Sequence, residues 1–345
     1  MTYLKKQRIN SVLKEASDKI HLNYRDGKMP LLKIIYASDF HGSTIVFKKF
    51  INAGLIYKAD VLVYGGDITG KALIPIVEVD NGVFAFELMG KRYEVKLGEI
   101  NKHLERIENI GYYPLVVKKE ERSRFEDNTY LNTIFKESMK DRLKNWIEFA
   151  KNKLKDTNIT LCLQLGNDDE PELENILREA EDKRVVYAEN KVVELPQGYN
   201  MVSNGYANIT PWHCPRDYDE ELIYRKLEDL VSRAGNTSQL ILNTHCPPYN
   251  TNIDLAPKLD KDLKPIIISG GVVMEHVGCI SVRKIIEKYQ PLIGLHGHIH
   301  ESRGIDKIGR TLILNPGSDY NVGVLRAALV VLEKDKVKSY LLISG

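Results

Sequence analysis

Cysteine is scarce in this chain: Cys162, Cys214, Cys246 and Cys279 are the four among 345 residues, and none stands in C-x-x-C spacing. That excludes a disulfide scaffold and a thiolate metal knuckle, and the four read as reduced, buried thiols of a cytosolic protein. Long apolar runs are absent too. No stretch approaches the length of a membrane span, and the opening Met1-Thr2-Tyr3-Leu4-Lys5-Lys6 runs into charged residues rather than an apolar signal core. A cytoplasmic protein without a membrane partner is expected. Charge of one sign is not in excess either: 49 basic residues oppose 47 acidic ones, leaving +2. The two signs are interspersed and no basic block stands out, so a nucleic-acid partner is not expected. There are no internal repeats and no low-complexity tract. The length suits one large domain or two small ones with a sizeable core.

What is present is a set of five short segments, each placed where a strand should end: Asp39-Phe40-His41, Gly66-Asp67, Gly166-Asn167, His245 and Gly297-His298-Ile299-His300. They follow the apolar runs 32–37, 61–64, 159–165, 240–242 and 292–295, which look like fully buried strands. Residues just past the carboxyl ends of buried parallel strands converge on one crevice. Two Asp, one Asn and four His would meet there, and imidazole with carboxylate is the usual ligand chemistry of Mn, Fe, Zn and Ni. Seven such residues are too many for one ion with an open position and about right for two ions sharing a carboxylate.

The order D-x-H, G-D, G-N-x-[D/E], H, G-H-x-H resembles the calcineurin-like metallophosphoesterase superfamily, and the match runs from Lys33 to Ser318. The resemblance implies an α/β fold, a β-sandwich of two mixed sheets flanked by helices, and a dinuclear metal centre. By the same resemblance Asp39, His41 and His300 would hold a first metal, Asn167, His245 and His298 a second, and Asp67 would bridge them. The ions would be two divalent cations drawn from Mn, Fe, Zn, Ni or Co, with manganese among the candidates. Two cations about 3.5–4 Å apart clamp phosphate oxygens and generate hydroxide near neutral pH. One departure matters. Many monoesterases of the superfamily carry His directly after the Asn; this chain reads Gly166-Asn167-Asp168-Asp169. Asp168 and Asp169 therefore stand as the catalytic candidates. A carboxyl of ordinary pKa is a poor general acid at pH 7, and a diester with a good leaving group needs less acid. The expected activity is hydrolysis of a phosphate-ester small molecule or nucleotide, a diester before a monoester. A monoesterase or nuclease of the same fold, and a non-catalytic metal-binding scaffold, are the alternatives; a homo-oligomer stays open. Asp168 could equally cap a helix starting near Glu170-Pro171.

Elsewhere the pattern predicts an amphipathic helix over residues 1–29, with Ile9, Leu13, Ala16 and Ile20 on one face, as an element separate from a catalytic domain over 31–345. About a hundred residues separate Asp67 from Asn167, where one βα crossover needs roughly 30. The excess reads as a small α+β insert at about 71–130: a hairpin around Asp80-Asn81-Gly82, a second turn at Met89-Gly90-Lys91, a helix over 99–109 and a strand over 112–117. Leaving the sheet beside Asp67, it could fold over the mouth and select substrates. A long helix over 128–154 returns the chain to the core. Arg216, His213 (with Trp212) and His276 are candidates for substrate contact. Glu301 and Asn315 are candidates to orient the His ligands from behind. His21 and His103 read as ordinary surface or packing residues.

Overall fold

A strand buried on both faces needs apolar residues at odd and even positions alike. The segment β1 (Leu32–Ala37) has them and is buried throughout. Leu32, Ile34 and Tyr36 point into one apolar cluster, while Ile35 and Ala37 point into another. The structure, a computed structural model, describes residues 31–345; the helix expected over 1–29 lies outside the described residues. In chain order there follow α1 (Thr44–Tyr57), β2 (Val61–Tyr64), β3 (Leu73–Asp80), β4 (Val83–Leu88), β5 (Lys91–Lys96), α2 (Ile100–Asn109), β6 (Tyr113–Val117), α3 (Asn128–Leu154), β7 (Thr160–Leu163), α4 (Leu173–Glu179), β8 (Val185–Tyr187), β9 (Val192–Leu195) and β10 (Tyr199–Asn204). Then come α5 (Glu220–Arg233), β11 (Leu240–Thr244), α6 (Ile280–Tyr289), β12 (Ile293–Leu295), β13 (Gly304–Ile308), β14 (Thr311–Asn315), β15 (Arg326–Glu333) and β16 (Lys336–Ser344), with short ribbons and turns between them.

The result is the α/β sandwich of two mixed sheets flanked by helices. One six-stranded sheet has the order β16-β15-β1-β2-β7-β8 and the other β13-β14-β12-β11-β10-β9. Four strands of each run parallel; antiparallel pairing closes one edge of the first sheet and both edges of the second. Between the sheets lies a cluster that includes Leu32, Ile34, Tyr36, Ile241, Leu295 and Leu314. Helices α1, α3 and α4 cover the outer face of the first sheet through Phe50, Trp146 and Leu177. Helices α5 and α6 cover that of the second through Leu227 and Ile285. The parallel register is what positions the candidate ligands. Ala37 pairs with Tyr64 and Val63 with Cys162, so the ends of β1, β2 and β7 lie level and their loops meet.

The insert forms a four-stranded sheet, β5-β4-β3-β6. Its own core holds Ile76, Phe84, Phe86, Leu88, Val95, Ile100 and Ile107, where the period of two along β4 meets the helical spacing of α2. The 27-residue α3 is capped by Asp127, whose carboxylate accepts from Thr129 N (2.8 Å) and Tyr130 N (3.3 Å). One expectation fails here, and one strand has no counterpart in the sequence reading. Asp168 caps no helix: α4 starts later, at Leu173, without a side-chain cap. Strand β13 is unforeseen, since Gly304-Ile305-Asp306-Lys307-Ile308 lacks a long apolar run and is held as an edge strand by β14. Among the described residues no helix is long and apolar enough to cross a membrane.

The insert is fastened to the loops that carry the candidate ligands. Gly70 N donates to the Tyr113 hydroxyl (2.9 Å), and Ser43 Oγ donates to the Asn109 carbonyl (2.6 Å). Arg142 lies 4.1 Å from the centre of the Tyr113 ring and donates to the Gly42 carbonyl (2.8 Å). Tyr113→Phe keeps the ring under Arg142 but leaves the buried Gly70 N–H without an acceptor, which costs about 1–3 kcal/mol. Urea unfolding should show that loss; a change below about 0.5 kcal/mol would mean that the insert is not fastened at this point.

Candidate metal centre

The loops past β1, β2, β7, β11 and β12 bind one another through their backbones. Asp39 N donates to Gly66 O (2.9 Å), His41 N to Asp67 O (3.0 Å), Gly297 N to His245 O (2.9 Å) and Arg216 N to Asn167 O (3.0 Å). Four of the seven expected ligands take left-handed backbone: Asp39 (φ 60°), His41 (φ 41°), Asp67 (φ 56°) and His298 (φ 68°). Asp and His tolerate that region better than most residues, and it turns each side chain sharply out of the line of its strand. The glycines before Asn167 and His298 serve close approach. A Cβ at Gly166 would lie 2.0 Å from Asp67 Oδ1, and one at Gly297 2.5 Å from Asp39 Oδ2.

The seven residues converge as expected. The ligand atoms of Asp39, His41 and His300 lie within 4.8 Å of one another, and so do those of Asp67, His245 and His298. Asn167 Oδ1 lies 3.0 Å from His245 Nε2. A third grouping, His41, Asp67 and Asp168, joins the two. Asp67 Oδ1 is engaged by the Asp168 amide (3.0 Å). Asp67 Oδ2 faces His41 Nε2 at 3.6 Å and His245 Nε2 at 3.4 Å. His41 Nε2 and His300 Nε2 stand 3.1 Å apart; two nitrogens on one tetrahedral ion with ~2.05 Å bonds would be roughly 3.3 Å apart.

Partners behind the ligands fix which atoms face inward. A carbonyl can only accept, so the contact of His245 Nδ1 with Gly65 O (2.9 Å) puts the proton on Nδ1 and turns Nε2 to the centre. Asn167 Nδ2 donates to Asp217 (2.8 Å), which turns Oδ1 inward. Burial would lower the His245 pKa, yet Asp67 and Asp39 hold it up at about 9. Burial would raise Asp39, yet the His300 and His245 rings hold it at about 2. At the other two rings desolvation outweighs the same carboxylates, lowering His41 to about 3 and His298 to about 4. The centre thus favours positive charge beside its two carboxylates and neutral imidazole around them, the donor set that divalent cations take. These Asp and His clusters could hold metal ions.

A cleft of about 490 Å³ opens over this floor. Phe135 and Met139 of α3 line one part of it, and Trp212, Cys214 and Pro215 another; Lys71, Asp168, Glu170 and Glu301 also line it. Asp168 is half-buried there, with Oδ2 3.2 Å from Lys71 Nζ and 3.7 Å from His41 Nδ1. Burial and Asp67 raise its pKa.

Other expectations need correction. Asp169 is not on the cleft: fully buried, it accepts from Gly166 N (2.8 Å), Ile68 N (3.0 Å), Thr69 N (2.9 Å) and Thr69 Oγ1 (2.7 Å), bracing the Asp67 and Asn167 loops. Burial and Asp67 push its pKa up to about 6, against the pull of those four donors. Arg216 is 4% exposed; it pairs with buried Glu189 and donates to Gly166 O (2.8 Å), so its charge is used beneath the site. His213 is exposed but does not line the cleft, although its neighbours Trp212 and Cys214 do. His276 also stays off the cleft, with Nδ1 2.7 Å from the buried Asp254 carboxylate. Asn315 holds the ligand loop by its backbone, donating to Gly297 O (3.2 Å) and Ile299 O (2.9 Å), rather than by a ring. Glu301 lies at the cleft wall instead of behind a ligand. Of the insert at about 71–130, Lys71 at its base lines the cleft and no other described residue does; among the described residues the insert buttresses the His41 loop from the side.

Lys71 lines the cleft at the base of the insert, as expected of a segment that leaves the sheet beside Asp67, and two residues that the sequence pattern does not single out, Asp217 and Tyr320, also belong to the site. Tyr320 packs its ring against His41 (4.8 Å) and His300 (5.9 Å). Asp217 sits one position past Arg216, in a loop whose polar residues give no periodic signal.

No family model matches the chain. An uncharacterized protein of Methanocaldococcus jannaschii is 40% identical over 147 residues, covering 42% of this chain. The match spans 60% of the length of that curated relative. One solved structure aligns with 91% of this chain and 99% of its own at a TM-score of 0.53 and 15% identity. A Thermus thermophilus protein, TT1561, aligns with 92% of this chain and 99% of its own at 0.50 and 13%. A solved archaeal phosphodiesterase aligns with 91% of this chain and 100% of its own at only 0.30 and 12%, too low a likeness to carry an argument. Identities this low speak to the fold alone.

Asp169→Asn tests the brace. The amide turns two hydrogens toward donors that now meet a carboxylate, so stability should fall by about 3 kcal/mol in chemical denaturation. A variant within about 0.5 kcal/mol of the parent would refute the brace.

Proposed function

We propose that this chain is a metal-dependent phosphoesterase of the calcineurin-like metallophosphoesterase superfamily, working with two divalent cations on a phosphodiester. The observation that carries the reading is Asp67 Oδ2, set between His41 and His245 while the other oxygen is engaged by a backbone amide. An isolated buried carboxylate would not be left with one oxygen directed at two sets of imidazoles. In this reading Asp39, His41 and His300 hold one cation, Asn167, His245 and His298 the other, and Asp67 both. The cations would supply charge for the phosphate oxygens and a water acidic enough to give hydroxide near neutral pH. Mn, Fe, Zn, Ni and Co all suit these ligands.

Two features of the cleft support a diester. Its rim carries Asp168, Glu170 and Glu301, and Lys71 is the one Lys or Arg among the described residues lining it. A diester phosphate brings one negative charge fewer than a monoester dianion into that company. The cleft also has apolar side chains from two elements, Phe135 and Met139 from one and Trp212 and Pro215 from the other, for ester substituents. Lys71 is half-exposed, its ion pair among the described residues is with Asp168, and its flexible stem could carry the ammonium to a bound phosphate. With no imidazole after Asn167, this ammonium is the nearest cationic side chain for the substrate.

Asp67→Asn removes a charge from both cation shells. Elemental analysis should show loss of at least one metal equivalent with the fold kept, and turnover of bis(nitrophenyl) phosphate should nearly vanish; two bound ions with near-parental turnover would sink the proposal. Lys71→Met should lower kcat/KM for the same diester about 10- to 100-fold, equivalent to roughly 1.4–2.7 kcal/mol, at unchanged metal content. Lys71→Arg should recover most of it, and an unchanged kcat/KM in the Met variant would remove Lys71 from the substrate's path.

A further inference from the structure

Between Leu255 and His276 the chain makes an excursion that places no side chain in any of the four buried clusters. Its base is a two-stranded ladder, Leu255 with His276 through Pro257 with Met274. Beyond it the backbone continues to pair: Lys258 N donates to Val273 O (2.7 Å), Ile266 N to Lys258 O (2.8 Å) and Val273 N to Ile266 O (2.9 Å). The tip is a hairpin, Ile267 with Val272 and Ile268 with Gly271, closed by Ser269 (φ 53°) and Gly270 (φ 81°), the backbone signature of a tight primed turn. The base is anchored, because buried Asp254 accepts from Asn250 N (2.9 Å), Thr251 N (2.8 Å) and Gly278 N (3.1 Å). Leu255 N also donates to Ser302 Oγ (3.0 Å), two residues past His300.

The arm is therefore ordered by backbone bonds and a root fixed through Asp254 and His276, while the large apolar side chains toward its tip lie outside every buried cluster. Ile267 and Ile268 are 66% and 63% exposed, and Leu263, Val272 and Met274 are exposed with them. A small two-stranded ribbon is marginal by itself in water, and five large apolar side chains within twelve residues form a patch of the kind that marks an interface. The charges say what kind of partner fits. Lys258, Lys261 and Lys264 are matched by Asp260, Asp262 and Glu275, so the arm's Lys, Asp and Glu charges sum to zero. A neutral arm with both signs side by side offers nothing to a polyanion or an anionic lipid surface. It suits a surface of its own kind, where two-fold symmetry sets lysine against aspartate and isoleucine against isoleucine. We infer that the arm Leu255–His276 is a dimerisation arm, and that its partner is the same arm of a second copy of this chain.

Sedimentation equilibrium of the full chain should show a dimer, and Ile267→Asp/Ile268→Asp should raise the dimer dissociation constant at least about 100-fold. The thermal melt extrapolated to low concentration and the metal content should stay at parental values, because neither side chain touches the core. If the aspartates disturb the tip, Ile267→Thr/Ile268→Thr keeps β-branching and should weaken the dimer in the same direction. A parent that stays monomeric at about 100 µM overturns the inference. So does a variant that dimerises like the parent, or a monomeric parent that floats with phosphatidylcholine vesicles. None of these readouts uses hydrolysis, so failure here is separate from failure of the phosphoesterase reading.

Discussion

The backbone at Gly166 passes so close to the Asp67 carboxylate that any side chain there would collide with it. This single approach joins the loops after β2 and β7. It lets the Asp168 amide reach Asp67 Oδ1 and puts Asn167 beside His245. The same crowding recurs at Gly297, whose backbone presses on Asp39 and Ser38 while the His298 amide donates to both Asp39 oxygens (3.0 and 3.1 Å). The glycines of the G-N and G-H motifs are thus needed for the distance between chains, and the ligand loops form one packed body instead of five independent turns.

That body is supported on several sides by groups with no chemistry of their own. Asp169 fills the hollow under Ile68 and Gly166 with an acceptor for four donors. Arg216 and Glu189 bury a mutually compensated pair against Gly166, which is costly to break from one side only. From the insert, Tyr113 and the Asn109 carbonyl fix Gly70 and Ser43. A charged residue near a site therefore belongs to one of two kinds. Lys71 and Asp168 face the cleft, while Asp169 and Arg216 set its floor, although Asp168 and Asp169 are sequence neighbours.

That distinction marks how far the sequence is legible. The apolar runs 32–37 and 61–64 coincide with β1 and β2, and α3 has the bounds its pattern predicts. Buried strands and amphipathic helices write their periods directly into the chain, and all seven ligand types sit where those strands end. The failures lie where side-chain direction depends on tertiary geometry. By residue type Arg216 is the phosphate partner and Asp217 is unremarked, yet the loop turns the arginine inward and the aspartate onto Asn167. The hairpins of the insert are plain from Asn81-Gly82 and Met89-Gly90, but no local signal tells whether such a unit covers a mouth or braces a wall. Tyr320 meets His41 only through the fold.

The cost of this arrangement explains why it should be coupled to what it binds. Left-handed backbone at Asp39, His41, Asp67 and His298 is offset within the protein by the inter-loop hydrogen bonds, at about 1–3 kcal/mol of strain per residue. The electrostatic part is offset internally by protonating an imidazole. Asp39 and Asp67 are both buried and both held low in pKa by imidazoles, with His245 acting on each, and the Asp67 charge pushes Asp39 up. With protein groups alone, His245 must carry a proton to compensate them. Were these residues to hold a cation, His245 would no longer need that proton, and its ring would be neutral as those of His41 and His298 already are at pH 7. Binding there would answer a charge that folding has already gathered, so part of its free energy appears as stability of the loops themselves.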